Sequence, residues 1–292
     1  MSEEAKGQKF LEEAEKKLKS SGSLMSSIFG SSSSKLDDAS ELYHKAGNCF
    51  KMAKSWTAAG NAFCQAAEIQ LKQNTKHEAA TLFNEAANAY KKADPQEALN
   101  CLMKSCDIYI DMGRLVMAAK QYQIIAELYE TDIVDIPNAI IYYEKAADLF
   151  KTEENNASAN KCLLKVAQFS AQLEKYTRAI EIYEQIGTSS IDNPLLKYGA
   201  RDHFFRAGLC HLCIDHLNCS QAIERYQSIL ASFADSREYN FLKQLVQTVE
   251  ENNLDNFTNT VKDYDNLSRL DNWCTSLLLK VKKSLNEEPD LR

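Results

Sequence analysis

Glycine and proline are scarce in this chain, with 9 glycines and 4 prolines among 292 residues. All-β sandwiches and barrels need turn residues at short intervals, so this scarcity argues against them and favours helices. Hydrophobic residues make up 45% of the chain, which is enough for a substantial core. The composition therefore predicts an all-α protein.

The chain also lacks an excess of basic residues and any long apolar run. Its formal net charge is −7, which disfavours nucleic acid as a partner. The sequence has no stretch of about 18 apolar residues, so it predicts no membrane span. It has no basic start followed by an apolar run, so it predicts no secretory signal. The nine cysteines are an odd number at helix-core spacings rather than a disulfide framework. These features together predict a cytosolic protein with reduced thiols.

Catalytic motifs are missing as well. The sequence contains no phosphate-binding, dinucleotide-binding, zinc-protease or nucleophile-elbow pattern, so we expect no enzymatic activity and no cofactor. Cys210-His211-Leu212-Cys213-Ile214-Asp215-His216 is the one cluster with metal-ligand residue types. A zinc site needs a second pair of ligands, and only Cys219 lies close in sequence. Buried thiols at a helix interface explain the cluster better than a metal or redox site does.

One pattern repeats along most of the chain. A small residue in a first helix recurs with steps of 40, 40, 41 and 40 residues, and a second helix carries small-x3-large-x2-small or a close variant of it. The first-helix residues are Ala46, Ala86, Ala126, Ala167 and Ala207, and the second-helix sets are Ala59/Phe63/Ala66, Ala98/Leu102/Ser105, Ala139/Tyr143/Ala146, Ala179/Tyr183/Ile186 and Ala222/Tyr226/Ile229.

This period indicates stacked helical hairpins. Residues at i, i+4 and i+7 share one helix face, and small residues there let two helices approach closely. One hairpin cannot bury both of its faces, whereas stacked neighbours can, and the stack presents a long concave surface. Tetratricopeptide repeats follow the same pattern with a period of 34 residues. We therefore predict a TPR-like helical-hairpin solenoid with a period of about 40; an irregular all-helical bundle is the alternative.

The ends of the chain depart from the repeat. Residues 8–20 have an apolar stripe typical of an amphipathic helix, and the Ser-rich stretch 19–34 should not be helical. We predict an N-terminal helix and apolar loop (1–35), the hairpin array (36–235), a C-terminal helical bundle (236–286) and an acidic tail (287–292). The bundle should contain helices over 236–252, 254–268 and 271–286 and should cap the array.

Four large apolar residues lie in the Ser-rich loop: Leu24, Met25, Ile28 and Phe29. They either pack under the first hairpin or form an anchor for a membrane or partner. As an anchor, four partly inserted side chains would bind weakly and reversibly, and would need a second contact.

Charged residues suggest two further surfaces. Five basic residues fall near the starts of successive helices: Arg114, Lys120, Lys161, Lys165 and Arg201. Equivalent positions in a solenoid line up, so they predict a basic ladder for an elongated acidic partner; an ordinary mixed-charge surface is the alternative. Toward the C-terminus, Glu250, Glu251 and Asp255 cluster, and the tail adds Glu287, Glu288 and Asp290, so this acidic end could serve a different partner.

Several long strings resemble one known family. Residues 50–67 (FKMAKSWTAAGNAFCQAA), 91–98 (KKADPQEA), 158–167 (SANKCLLKVA), 235–238 (DSRE) and the closing 290–292 (DLR) are similar to soluble NSF attachment proteins (SNAPs) of the alpha/beta type. The resemblance extends over essentially the whole chain.

The resemblance implies an adaptor without catalysis of its own. Such proteins coat the four-helix SNARE bundle of syntaxin-type and synaptobrevin-type chains after membrane fusion, then recruit and stimulate the hexameric ATPase NSF, which disassembles it. It further implies a monomer in solution, several copies on each SNARE complex, a peripheral position on the cytosolic face of membranes, and a role in vesicle transport such as that between ER and Golgi.

The resemblance also assigns residues. Arg114, Lys120 and Lys161, with Lys165 and Arg201, would hold SNAREs; Glu250, Glu251, Asp290 and Leu291 would engage NSF. Leu24, Met25, Ile28 and Phe29 would touch the membrane. Leu24-Met25 replaces the paired phenylalanines frequent in relatives, and Pro289 stands where relatives are acidic. A general TPR scaffold or co-chaperone is the alternative function, although the spread basic residues differ from a compact carboxylate clamp.

Overall fold

The computed structural model describes residues 2–21, 32–193 and 195–286, and within these ranges the chain forms helices and no strand. The helices are α1 (Glu3–Ser21), α2 (Ser32–Met52), α3 (Trp56–Lys72), α4 (Lys76–Tyr90), α5 (Pro95–Asp111), α6 (Leu115–Leu128), α7 (Ile136–Thr152), α8 (Asn156–Gln172), α9 (Tyr176–Ile191), α10 (Lys197–Ile214), α11 (His216–Ile229), α12 (Ala231–Ala234), α13 (Arg237–Glu250), α14 (Leu254–Leu267) and α15 (Asn272–Asn286), with one π-helical turn at Tyr129–Ile133. The all-α class is confirmed.

The chain divides into two compact units, Met1–Cys162 and Leu163–Arg292. In the first unit each helix from α1 to α6 packs against the next one in sequence. In the second unit α10 packs against α9, α11, α13 and α15, and α14 contacts α13 and α15. Packing between sequence neighbours is the organisation expected of helical-hairpin repeats.

The repeated residues lie in the core. The five first-helix alanines fall on α2, α4, α6, α8 and α10, and all are fully buried. The second-helix residues fall on α3, α5, α7, α9 and α11 and are buried with one exception. Ile229 is the last residue of α11 and is 42% exposed. The predicted TPR-like array is confirmed.

Local signals explain where the helices begin. The Asp94 side chain accepts hydrogen bonds from the backbone N–H groups of Gln96 and Glu97, at 3.1 and 3.2 Å, and Pro95 occupies the first position of α5. Asp135 caps α7 in the same way, with Pro137 in the first turn. Both combinations satisfy amide groups that have no partner inside the helix.

The helix ends repeat a second signal. A residue with positive φ follows most of the array's helices, at spacings near 20 residues or twice that, and the next amide donates to a carbonyl five residues back, or six residues back after the π-helical turn. This arrangement satisfies carbonyls at the helix end. Only one of these residues in the array is glycine; the set is Lys54, Asn74, Gly113, Val134, Glu154 and Glu174.

The last three helices close the second unit. They match the predicted stretches within a few residues at each end. Phe241 and Tyr264 stack with ring centroids 4.1 Å apart, which joins α13 to α14. The indole N–H of Trp273 donates to the backbone carbonyl of Gln168 at 3.0 Å, which ties α15 to α8.

Some predicted boundaries were wrong. The first helix is longer than 8–20, since it begins at Glu3, and helix extends into both ends of the stretch 19–34 that was expected to be non-helical. Ser-rich composition weakens a helix but does not prevent one that packs against a neighbour, as α1 and α2 do. None of the helices in the described ranges has the length and apolar character needed to cross a bilayer.

Candidate partner-binding surfaces

The first unit carries three of the predicted basic residues on the outside of its helices. Arg114 occupies the N-cap position of α6, and Lys120 lies on the face of that helix opposite the buried Ala118. Lys161 lies on α8 beside the buried Cys162. All three side chains are exposed, and within the described ranges none belongs to an ion pair. Each charge is therefore available to a partner.

Three basic residues occupy the same register of their helices. Lys120, Lys161 and Arg201 each precede the buried first-helix alanine of their repeat by six residues (126 − 120, 167 − 161 and 207 − 201). Each cation therefore falls in the same part of its hairpin, where Lys120 and Lys161 are exposed and Arg201 is partly exposed. The corresponding residues of the first two repeats are Ser40 and Ala80, and both are buried, so the charge is confined to the third, fourth and fifth repeats.

Lys165 differs from the others. Its ammonium lies 5.5 Å from the centroid of the Phe169 ring, and its side chain is only partly exposed. A cation held over an aromatic face has fewer directions in which to meet a partner. The position is thus compatible with a supporting role rather than a primary contact.

Arg201 lines a groove of about 540 Å³ in the second unit, formed by the end of α9, the start of α10 and the turn after α11. Lys197 and Tyr198 line the same groove, and Leu195 precedes them. The exposed fractions of Leu195 and Tyr198 are 89% and 78%. The two exposed apolar side chains and the two cations of this segment make it a candidate contact surface.

The sequence analysis missed these two apolar residues. Leu195 lies in the break between α9 and α10, and Tyr198 is the second residue of α10. A usable signal was the tripeptide Leu-Leu-Lys following a polar break, where no helical stripe accounts for the apolar residues.

The acidic residues Glu250 and Glu251 lie at the C-terminal end of α13, and both are exposed. Glu251 accepts a hydrogen bond from Gln247 at 2.8 Å. A helix C-terminus already carries partial negative charge, so two carboxylates there raise the local negative potential instead of neutralising it. Asp255, in the first turn of the next helix, is also exposed. This end of the second unit is suited to a cationic partner.

The remaining predicted contacts lie outside the described residues. They are the four apolar residues of the N-terminal loop and the two tail residues: Leu24, Met25, Ile28, Phe29, Asp290 and Leu291.

The Cys210–His216 cluster is part of a helix interface. Cys210 is fully buried, and burial raises its pKa well above the ordinary value. Burial also raises the pKa of Cys213 and of Cys219 to about 12. Three buried or partly buried thiols packed between helices fit the expected helix interface. Across the described parts of the chain, no three His, Cys, Asp or Glu side chains are arranged to hold a metal ion.

Comparison with known proteins gives consistent matches over the whole chain. The family profile of "Soluble NSF attachment protein, SNAP" matches residues 5–286. The alpha-soluble NSF attachment protein of Mus musculus is 55% identical over 290 residues, covering 99% of this chain and 98% of that protein. The beta-soluble NSF attachment protein of Bos taurus is 55% identical over 273 residues, covering 94% and 91%.

A more distant relative and a solved structure extend these matches. The probable vesicular-fusion protein sec17 homolog of Schizosaccharomyces pombe is 35% identical, covering 96% of each chain. The crystal structure of a signal-transduction ATPase with a tetratricopeptide repeat sensor, from Pyrococcus horikoshii, superposes with a TM-score of 0.50 and 16% identity, covering 96% of this chain and 46% of the other. That structural likeness concerns the helical-repeat fold alone.

Proposed function

The chain belongs to the soluble NSF attachment protein family, and from that premise we propose that it is an adaptor between assembled SNARE complexes and the ATPase NSF. In this role it binds the four-helix SNARE bundle left after membrane fusion, recruits hexameric NSF and stimulates disassembly of the bundle. ATP hydrolysis takes place on the partner, and this chain supplies binding surfaces only.

The observation that supports the proposal is the recurrence of a cation six residues before the buried alanine of three successive first helices, at Lys120, Lys161 and Arg201. A cation that repeats at equivalent positions suits a partner that is itself elongated and acidic, which is the character of a SNARE bundle. Each exposed ion pair contributes only about 0.2–1 kcal/mol. Several such contacts on several copies around one bundle would add through avidity.

Apolar contacts would complement the charges in the second unit. Leu195 and Tyr198 are exposed next to Lys197 and Arg201. An amphipathic helical partner offers both kinds of surface, because acidic residues flank its apolar seam. We propose that these two side chains cover the seam while the neighbouring cations meet the acidic flank.

The acidic end would serve the ATPase. Glu250 and Glu251 concentrate negative charge at a helix C-terminus, and we propose that a basic surface of NSF docks there, together with Asp290 and Leu291 of the tail. We further propose that Leu24, Met25, Ile28 and Phe29 touch the cytosolic face of the membrane, so that a monomeric protein becomes peripheral when it binds a membrane-anchored SNARE complex.

Reconstituted disassembly tests the proposal directly. Purified SNARE complex, NSF and ATP are combined with and without this protein, and release of individual SNARE chains is followed by fluorescence. We expect disassembly only when the protein is present. A normal rate of release in its absence, or no release in its presence, would refute the adaptor function.

Charge reversals separate the two surfaces. Lys120→Glu with Lys161→Glu should abolish capture on immobilised SNARE complex, whereas Lys151→Glu, an equally exposed lysine at the end of α7, should not. Glu250→Lys with Glu251→Lys should keep SNARE capture and lose NSF recruitment. Equal loss of SNARE capture in the Lys151 control would mean that net charge, and not this surface, governs binding.

A further inference from the structure

Two cysteine sulfurs meet across the first two hairpins. Cys64 lies on α3 and Cys101 on α5, and their Sγ atoms are 3.4 Å apart. Both are free thiols. No other pair of cysteine sulfurs in the parts of the chain that the structure describes makes such a contact. A disulfide needs a sulfur–sulfur distance of about 2.05 Å, so the two sulfurs must still move toward each other for a bond to form.

The two thiols have different surroundings. Cys64 is partly exposed, whereas Cys101 is buried. The hydrogen bond from the Cys101 thiol favours the Cys64 thiolate, and together with the charge of Lys104 it outweighs burial and lowers the pKa of Cys64. The hydrogen bond with Cys64 and then burial raise the pKa of Cys101. A partly exposed cysteine with a lowered pKa next to a buried cysteine with a raised pKa is the arrangement of an attacking and a resolving cysteine.

Lys104 is held near this pair by its own contacts. Its ammonium lies 3.6 Å from a carboxylate oxygen of Glu68 and 5.1 Å from the centroid of the Phe83 ring. Glu68 and Lys104 lie one helical turn beyond Cys64 and Cys101 on the same two helices. The positive charge near Cys64 is therefore a fixed feature of the interface between α3 and α5.

We propose that Cys64 and Cys101 form a reversible redox site, which a peroxide oxidises to a disulfide that links α3 to α5. The Cys64 thiolate attacks one oxygen of hydrogen peroxide, the O–O bond breaks, and the departing hydroxide takes up a proton to give water and a sulfenic acid on Cys64. Cys101 then attacks that sulfur, its proton joins the leaving hydroxide as a second water, and the S–S bond forms. The two thiols lose two electrons in total, and the peroxide is reduced to two waters.

The bond would restrain the first unit. It would close a loop between positions 64 and 101 and fix the spacing of the second helices of the first two repeats. We expect the thermal midpoint of that unit to rise by an amount on the order of 5 °C on oxidation and to return on reduction. This inference does not depend on the proposed adaptor function, because it concerns the chemistry of one helix interface.

Peptide mapping of the full chain tests the site. The protein is treated with a small excess of hydrogen peroxide, alkylated, digested without reductant and analysed by mass spectrometry. We expect the peptide containing Cys64 joined to the peptide containing Cys101, with the loss of two hydrogens, and recovery of both free peptides after dithiothreitol. Joining of other cysteines first, or oxidation of Cys213 at the same rate as Cys64, would overturn the proposal.

Variants distinguish the two roles. Cys101→Ser should accumulate sulfenic acid on Cys64, detected by a dimedone adduct, while Cys64→Ser should yield neither adduct nor disulfide. Cys213→Ala is the matched control, since Cys213 is also partly exposed but its sulfur faces the Leu277 carbonyl, and it should form the disulfide at the wild-type rate. An equal yield of dimedone adduct in the Cys64 and Cys101 variants would contradict the assignment of the attacking cysteine.

Discussion

The guanidinium of Arg206 lies over the indole ring of Trp273, 5.1 Å from its centroid, and joins α10 to α15. The same guanidinium donates to Asp202 at 2.9 Å within α10 and to Asp271 at 2.8 Å just before α15. Aromatic stacking and two charge-assisted hydrogen bonds thus converge on one side chain that is largely buried. This residue is therefore one of the contacts that attach the last helix to α10.

Arg206→Met keeps the apolar stem and removes the charge, so it isolates this contribution. We expect a loss of about 1–3 kcal/mol in the free energy of unfolding, because Asp271 loses its partner and the indole its cation. Urea unfolding followed by Trp273 fluorescence in a Trp56→Phe background reports on the second unit, since the chain has only these two tryptophans. Arg269→Met is the control: its side chain is highly exposed and its ion pair with Asp265 spans 3.7 Å, so the change should stay within about 0.5 kcal/mol.

Close helix approach can be tested at Gly60. A Cβ atom at this position would lie 2.6 Å from ring atoms of Tyr90, and that ring is held by a hydrogen bond from its hydroxyl to Asn61 at 2.6 Å. Gly60→Ala should therefore destabilise the first unit by about 1–3 kcal/mol, although alanine is the better helix former. Gly199→Ala meets nothing within 4 Å in α10 and should be neutral or stabilising by up to about 1 kcal/mol. Thermal unfolding of both variants gives the comparison, and equal midpoints would contradict it.

Glu184 makes the stability of the second unit depend on pH. Burial opposes its ionisation, but hydrogen bonds from His211 and Tyr226 and the charge of Arg225 outweigh burial and hold its pKa below the ordinary value. The stabilisation is therefore present above the unfolded-state pKa and is lost as pH falls through the folded-state pKa. His211 lies on α10 and the other two groups on α11, so one carboxylate joins three helices.

Glu184→Gln removes this titration. At pH 7 we expect the variant to be less stable by about 1–3 kcal/mol, because Arg225, His211 and Tyr226 lose a carboxylate partner. Between about pH 5 and pH 3 the wild type should lose stability more steeply than the variant. Urea unfolding at several pH values measures both effects. The pKa of Asp271 is also lowered, but this residue is present in both proteins. Its contribution to the pH dependence of stability therefore cancels when the two profiles are subtracted. Parallel pH profiles would show that Glu184 is not the source.

Much of the fold could be predicted from the sequence because the residues that pack between helices recur at the same spacing in each repeat. Fully buried alanines recur every 40 or 41 residues, and this period alone locates five first helices. The turns were harder to place, because residues such as Lys54 and Glu154 adopt the positive φ that glycine usually supplies. Their strain is offset by hydrogen bonds at the helix ends, and composition does not reveal those bonds.

The candidate site was predictable only in part, for a similar reason. The register that buries Ala126 and Ala207 also fixes where Lys120 and Arg201 fall, so charge periodicity was visible in the sequence. Leu195 lies outside any helical period, and apolar character alone does not distinguish a core residue from an exposed contact. The contact between Cys64 and Cys101 joins positions 37 apart in separate hairpins, which only the packing of the helices brings together.

The exposed pair Leu195 and Tyr198 leads to a prediction that separates apolar from ionic binding. Leu195→Ser with Tyr198→Ser should weaken binding to SNARE complexes about tenfold or more. The wild-type protein would bury both exposed apolar side chains when it binds, and the variant loses this favourable burial. Affinity is measured by biolayer interferometry at several salt concentrations. The loss should be the same at each, since burial of apolar surface is not screened by salt.

The charge-reversed Lys120→Glu protein should behave differently in the same measurement. It loses an ionic contact that salt also weakens in the wild type. The difference in affinity between the two proteins should therefore shrink as the salt concentration rises. Leu267→Ser, an exposed leucine at the end of α14, serves as the control for removal of a surface apolar group and should leave binding unchanged. If the deficit of the Leu195 and Tyr198 variant vanished at high salt, these residues would be acting on the neighbouring cations and not as an apolar contact of their own.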